Sequence, residues 1–289
     1  MAELIQRKES KRYPGLFVKK YSRKVFFDAL WNTDDALLEA RGHVEDVDGN
    51  VVVRPFTKIF NRFENNTDID RDELVVSIRK VNGFMAAATY VPALDAVVVS
   101  TTGSLDSDFV GYATQYITQD VCDKIKSMSK SRPATFLFEI CHPEDPHIIN
   151  EQFGAYLIGC RYVDDETAYF SDQNLEVGLD MCAQALGVLR PDWKVCRFSD
   201  VVQEAAECKH EGFVVYGQTS KTSLKIKSPY YLTLKACARK KDIMSLDKQR
   251  VDEEYYELID HLKSNVEHFN SLDEQARLMY IVDYFNAKE

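Results

Sequence analysis

The sequence predicts an α+β fold of antiparallel sheets flanked by helices, with a small helical appendage after them. Three observations carry that prediction. Strand-like runs adjoin one another across short turns at 74–79, 83–91 and 95–101, and again at 212–217, 223–227 and 230–235; neighbours joined this way pair as antiparallel hairpins. Helical periodicity falls in separate blocks near 107–127, 175–187 and 199–208, whereas a doubly wound parallel sheet needs a crossover helix between successive strands. After about Lys235 the strand signal stops and two charged helical stretches follow.

In chain order, residues 1 to about 40 mix charge with aromatics and read as helix and loop packed on the body. "HVEDVDGNVVV" (43–53) sets Asp48-Gly49 between alternating runs, a hairpin signal. Further strands are expected at 135–140 and 155–163. The helix at 175–187 places Leu175, Leu179, Cys182 and Leu186 on one face. Each C-terminal stretch opens with a serine followed two residues later by an aspartate, Ser245 with Asp247 and Ser271 with Asp273, a capping signal. The chain thus divides into a main domain over 1–237, which includes a basic N-terminal arm, and a helical appendage over 238–289.

Composition narrows the class. No apolar run approaches the ~20 residues that span a bilayer, and "MAELIQRKESKRYPG" lacks an apolar signal region, so a cytoplasmic location without membrane partners is expected. The seven cysteines are scattered with no C-x-x-C pair, which suits reduced thiols and argues against a zinc site. A net charge of −10 argues against indiscriminate coating of nucleic acid. The segment from Arg7 to Lys24 reverses that sign locally with Arg7, Lys8, Lys11, Arg12, Lys19, Lys20, Arg23 and Lys24. It reads equally as a phosphate-binding arm or a solvated face.

Lys80 is the residue that asks for chemistry. In "SIRKVNGFMAAATYV" it precedes Asn82 and Gly83 at the edge of a strand. A lysine acts as a nucleophile only after losing its proton, and its reference pKa is ~10.4. Nearby cations and partial burial lower that value, and the sequence offers Arg41, Lys225 and Lys227. Gly83 would let the backbone pass close to a ligand with no Cβ in the way. Other charged residues sit in strand-like surroundings: Arg41 in "EARGHV", Arg54 and Lys58 in "RPFTKIFNRFE", Glu139 in "FLFEIC", Glu211 in "HEGFVVYG" and Lys225 and Lys227 in "LKIKSPYYL". Burying Glu139 among Phe136, Leu137, Phe138 and Ile140 without a partner would cost several kcal/mol. Lys225 and Lys227 alternate with Leu224 and Ile226, so both leave one sheet face. Two carboxylates and three lysines converging from different strands suit a triphosphate with its divalent metal.

The order K-x-x-G, F-x-F-E, E-G-F-V, K-x-K resembles that of the covalent nucleotidyltransferases, the ATP-dependent DNA and RNA ligases and the mRNA capping enzymes. With "EARG", "RPFTKIFN" and "LKIKSPYYL" it is similar to the bacteriophage RNA ligases of the tRNA-repair type, over roughly Arg41 to Leu234. That resemblance implies a ligase adenylation domain and an RNA ligase that joins 5′-phosphate and 3′-hydroxyl ends through a lysyl–AMP and an adenylylated RNA. It implies ATP and Mg²⁺ or Mn²⁺ as cofactors, RNA such as tRNA as substrate, an end-healing kinase or phosphatase as functional partner and, for a viral protein, the host cytoplasm. Lys80 would be the nucleophile, and Lys225 and Lys227 would hold the α-phosphate. Arg41 and Lys58 would address the β- and γ-phosphates, with Arg54, Phe60 and Gly83 also in the nucleotide site. Glu139 would contact the sugar or the metal's water shell, Glu211 would serve the metal, and Tyr231 would support it. Asn82 stands where many ligases carry Asp, and Thr102 in "STTGS" where the phage family often carries Lys. Every motif residue precedes Leu234, so the appendage is expected to guide RNA and to be dispensable for the first step. The alternatives are a DNA ligase, a capping-type enzyme or a catalytically dead nucleic-acid-binding relative.

Other motifs have plainer readings. His142 and His147 lie in a proline-bearing stretch without H-x-x-x-H spacing, which reads as a solvated loop. Cys141 and His142 are adjacent on a strand and face opposite ways, so they form no nucleophile pair. The C-terminal tyrosines and phenylalanines recur at helical spacing, as in core packing.

Overall fold

The protein is described from a computed structural model that covers residues 4–251 and 255–287. Among the described residues the strands form three sheets, and all their pairings are antiparallel except one. The first sheet runs in chain order, β1 (Ile5–Glu9), β2 (Phe17–Tyr21), β3 (Arg41–Glu45) and β4 (Val51–Val53), with the short helices α1 (Arg23–Phe27) and α2 (Ala36–Glu39) between β2 and β3. The helix-and-loop expectation for residues 1–40 is therefore corrected: the arm is mostly a hairpin. All residues of β1 but Ile5 are exposed, so backbone pairing holds this edge strand and no period-2 apolar signal marks it.

β5 (Phe60–Asn61), β6 (Leu74–Arg79), β7 (Phe84–Val91) and β8 (Ala96–Thr101) come next, followed by α3 (Asp108–Tyr116) and α4 (Gln119–Met128). The predicted helix at 107–127 is thus two helices, with Thr118 as N-cap of the second. β9 (Ala134–Cys141), β10 (Gly154–Tyr162), α5 (Gln173–Leu186), β11 (Trp193–Arg197), α6 (Phe198–Glu207), β12 (Gly212–Gly217) and β13 (Ser223–Lys227) complete the sheets. The second sheet has the order β10-β9-β7-β8, and the third the order β11-β6-β12-β13-β5 with β5 and β13 parallel. Sequence reading missed β11, which has only the half-buried Trp193 and Cys196 to mark it.

The core explains the layering. One face of the second sheet packs Ala88, Phe136 and Phe138 against Ile117, Ile125 and Leu179 of the α3–α5 layer. Its other face packs Ala87 and Leu137 against Val18, Val44 and Val53 of the first sheet. In the third sheet, Val75, Val215 and Leu224 cover Phe198 and Val201 of α6. The opposite face meets Phe56 and Tyr169 through Ile78 and Tyr216. Consecutive strands β6 and β7 belong to different sheets. The link at residues 80–83 therefore lies where the second and third sheets meet.

Residues 230–235 are not a strand. They lie in α7 (Pro229–Ala238), where Ser228 accepts a hydrogen bond from Tyr231 N at 3.0 Å and Pro229 occupies the first turn. Ser-Pro is a start signal for a helix, and it outweighs the β propensity of "YYLTL". α8 (Tyr256–Ser264), α9 (Val266–Ser271) and α10 (Glu274–Asn286) complete the chain. They bury Leu258, Ile259, Leu262, Phe269 and Ile281 against Leu234, Cys237 and Ala238 of α7 and against Ile148. The caps differ from the serines expected. Asp273 caps α10 by accepting from Ala276 N at 2.8 Å, Ser245 lies inside a 3₁₀ turn, and part of the first C-terminal stretch, 252–254, falls outside the described residues. No helix among the described residues is long and apolar enough to cross a membrane.

Candidate active site

A cavity of about 370 Å³ opens between the second and third sheets. Lys80 stands at its floor, fixed by its own N–H donating to Gly212 O at 2.8 Å. Gly83 lines the cavity and also has a packing task. A Cβ there would lie 2.2 Å from Ile140 O, so glycine lets the link cross tight against β9. Its N–H donates to Glu139 Oε1 at 3.1 Å. One crossing thereby aligns Lys80 with the carboxylate of the next sheet.

Lys80 Nζ lies 2.8 Å from Glu211 Oε2. The same oxygen accepts from Asn82 Nδ2 at 2.8 Å, and Lys227 Nζ is 3.6 Å from Oε1. Asn82 Oδ1 in turn accepts from Ile149 N at 3.0 Å. Lys225 lines the cavity, and Arg41 and Lys58 line it too. Lys58 is ion-paired to Glu64 at 3.2 Å and lies over the rings of Trp31 and Phe60 at 4.4 and 4.5 Å.

The cavity thus gathers Arg41, Lys58, Lys80, Gly83, Glu139 and Lys225, and Glu211 joins Lys80 to Lys227 just outside its lining. Two expectations need correction. Phe60 is buried beneath the Lys58 ammonium against Trp31 and does not line the cavity. Arg54 does not line it either: its Nε donates to Val163 O at 2.7 Å and its N–H to Thr135 Oγ1, which ties the first sheet to β9. Tyr231 lies under Lys227, 5.3 Å from its ring centroid. Thr102 is at the cavity wall. The apolar walls, Phe56, Ile158, Val214 and Tyr216, escaped sequence reading because charged residues alone carried the motifs; Phe56, two residues before Lys58, was the findable one.

The electrostatics also differ from expectation at Lys80. Burial pulls its ammonium down, but the Glu139 and Glu211 carboxylates more than offset this and hold it above the ordinary lysine value. The strongly depressed lysine is Lys225, brought down to about 7 by burial and then by Lys58, Arg41, Lys80 and Lys227. Lys227 is lowered by burial, with Glu211 opposing. Burial pushes Glu139 up despite the opposing charge of Lys80. Among the described residues no three His, Cys, Asp or Glu side chains gather to cage a metal. Two oxygen donors, Glu139 and Glu211, fit a hard cation that keeps much of its water shell and shares the substrate's phosphates.

The nearby histidine is not solvated. His142 is buried, stacks on Tyr112 at 4.4 Å and bonds Gln115 Oε1 at 3.1 Å, while His147 pairs with Asp145 at 2.7 Å. Tyr112 and Gln115 lie 27 and more residues away in sequence, which is why a loop reading overlooked them.

The fold is that of the nucleotidyltransferase domain of polynucleotide ligases. The chain is similar to an archaeal ATP-dependent RNA ligase with a TM-score of 0.60 at 13% identity, covering 100% of this chain and 78% of that one. A putative ATP-dependent DNA ligase from Aquifex aeolicus matches with a TM-score of 0.56 at 13% identity over 96% of this chain and 72% of the other. No curated protein sequence matches the chain. The family model described as RNA ligase matches residues 39–231, about two thirds of the chain. The chain belongs to the RNA ligase family.

Proposed function

We propose that this protein seals RNA by an ATP-dependent route in which Lys80 carries AMP. The observation that supports this reading most is the convergence of Lys80, Glu139, Lys225, Arg41 and Lys58 on one cavity that also has an apolar wall of Phe56, Ile158, Val214 and Tyr216. Such a site takes a flat base on its apolar side and phosphates on its basic side. Phe56, Ile158, Val214 and Tyr216 would flank the adenine, Glu139 the ribose, Lys225 and Lys227 the α-phosphate, and Arg41 and Lys58 the β- and γ-phosphates.

In the first step the Lys80 amine attacks the α-phosphorus; a P–N bond forms and pyrophosphate leaves. As an ammonium ion paired with Glu211, Lys80 is not yet a nucleophile, so that pair must break and the proton must depart before attack. In the second step an RNA 5′-phosphate oxygen attacks the same phosphorus and Lys80 leaves with its electron pair. In the third, a 3′-hydroxyl attacks the RNA phosphate and AMP departs. Lys225 and Lys227 would stabilise charge developing on the phosphoryl oxygens. Mg²⁺ or Mn²⁺ held through Glu139 and Glu211 would neutralise phosphate charge when bound. The substrate class is RNA with 5′-phosphate and 3′-hydroxyl ends, such as a broken tRNA after its ends have been healed by a kinase and phosphatase.

Incubation with labelled ATP or labelled GTP, followed by denaturing electrophoresis, tests the reading. A covalent label from ATP alone supports it. Label from GTP alone would make the protein a capping-type enzyme, and label from neither would leave a binding protein without the first step.

A further inference from the structure

Beside the nucleotide cavity lies a second one, of about 410 Å³, lined by Lys20, Arg23, Phe26, Phe27, Arg41 and Thr102, among others. Arg41 and Thr102 line both. We infer that this groove seats a single strand of RNA, with bases on Phe26 and Phe27 and phosphates on Lys20 and Arg23. The inference deepens the RNA-sealing reading by locating its polynucleotide.

Four observations carry it. Phe26 and Phe27 are 56% and 75% exposed, an unusual cost for two adjacent large aromatics. They project from α1 while Val25 between Arg23 and these rings is fully buried with Trp31, Leu37 and Phe60, so the rings stand on an anchored base. Their rings meet edge to face at 5.6 Å, which leaves ring faces open to a base. The charges around them are not neutralised: Arg7 and Lys19 of the same arm both pair with Glu45, whereas Lys20, Arg23 and Arg41 make no ion pair with any described residue, Arg41 donating to the neutral Tyr21 hydroxyl at 3.0 Å. Exposed aromatics among cations that no described carboxylate neutralises match the two halves of a single strand, π-faced bases and anionic phosphates.

Lys20 also has a specific place. A Cβ on Gly103 would lie 3.8 Å from its Nζ, so this ammonium stands beside the Thr102–Gly103 turn at the junction of the two cavities. Lys20 therefore brings to that turn, from β2, a positive charge that Thr102 cannot carry. A phosphate passing from groove to cavity would meet Lys20 and then Arg41.

The test is fluorescence anisotropy with a 5′-phosphorylated, labelled single-stranded RNA, run on the full chain alongside the ATP-labelling reaction. Phe26→Ala with Phe27→Ala is expected to weaken RNA binding about tenfold or more, with lysyl–AMP formation unchanged. Lys20→Ala with Arg23→Ala is expected to flatten the dependence of log K on log salt by about 0.7 per charge removed. Unchanged RNA affinity and salt slope in these variants, with wild-type circular dichroism, would overturn the groove. So would sedimentation showing that the phenylalanine pair holds two copies together without affecting RNA. Loss of RNA affinity in the variants of a chain that takes no label from ATP would uphold the groove and sink the sealing reading instead.

Discussion

Lys80 Nζ and Glu211 Oε2 lie 2.8 Å apart, although 131 residues separate them in the chain. Against the pull of burial, Glu139 and Glu211 together keep Lys80 an ammonium ion in the resting protein, above the ordinary lysine value. The reactive form has to be released from this pair, and the lysine is consumed only in making and breaking the bond to AMP. Lys80→Ala is therefore expected to take no label from ATP and still to join RNA that already bears a 5′-adenylate. Lys227→Ala should slow both reactions, about a hundredfold for a lost charge contact of ~3 kcal/mol. A folded Lys80→Ala protein adenylylated on another lysine would refute the assignment.

Lys225 gives a pH signature. Its folded value of about 7 lies below the ordinary 10.5. Between those values the unfolded chain binds the additional proton, so this residue makes stability rise with pH across the window, and its penalty is complete below about 7. A bound triphosphate reverses the balance by setting anionic oxygens beside it. At pH 8, ATP binding should take up protons, read by calorimetry in buffers of different ionisation enthalpy. Lys225→Met should diminish the uptake; equal heats in both buffers for the wild type would contradict it.

Asn82 orients the carboxylate that holds Lys80. Its side chain donates to Glu211 and accepts from Ile149 N. Asn82→Ala leaves two buried groups short of partners and should cost about 1–3 kcal/mol. Asn82→Asp would set two carboxylates against each other, raising the pKa of one of them. The folded state would then bind the extra proton, so the loss should ease in mild acid and grow as pH rises. Thermal denaturation from pH 5 to 8 measures both, and equal melting temperatures for wild type and Asn82→Ala would remove the orienting role.

The last three helices pack onto the element that follows the Lys225–Lys227 strand. Leu234, Cys237 and Ala238 of α7, together with Ile148, are buried against the last three helices. Ile148 adjoins Ile149, which holds Asn82. Ending the chain after Ala238 uncovers these side chains at about 1.5–3 kcal/mol for each large aliphatic one. A lowered melting temperature and impaired uptake of AMP are expected, in place of the indifference that motif order suggested. A gentler variant, Arg277→Ala, removes donors to Phe269 O, Asn270 O, Lys240 O and Ala238 O and should destabilise the same cluster. A truncated protein with wild-type melting and labelling would show the appendage to be independent.

The features legible along the chain are local ones. Alternation and turn residues mark β6 to β8, β9, β10, β12 and β13, and the motif order through Lys80, Gly83, Glu139, Glu211, Lys225 and Lys227 carries the resemblance to RNA ligases, because period and charge are written residue by residue. Tertiary structure alone decided the rest. It made the basic arm a hairpin whose cations are partly neutralised by Glu45 and turned "YYLTL" into helix behind a Ser-Pro start. It also withdrew Arg54 and Phe60 from the cavity into packing roles. Most of all it chose which lysine is depressed, since a pKa depends on burial and on charges from other strands. Glu139 and Glu211 stand beside Lys80, while burial and the charges of Lys58, Arg41, Lys80 and Lys227 bear on Lys225, and no spacing along the chain encodes that difference.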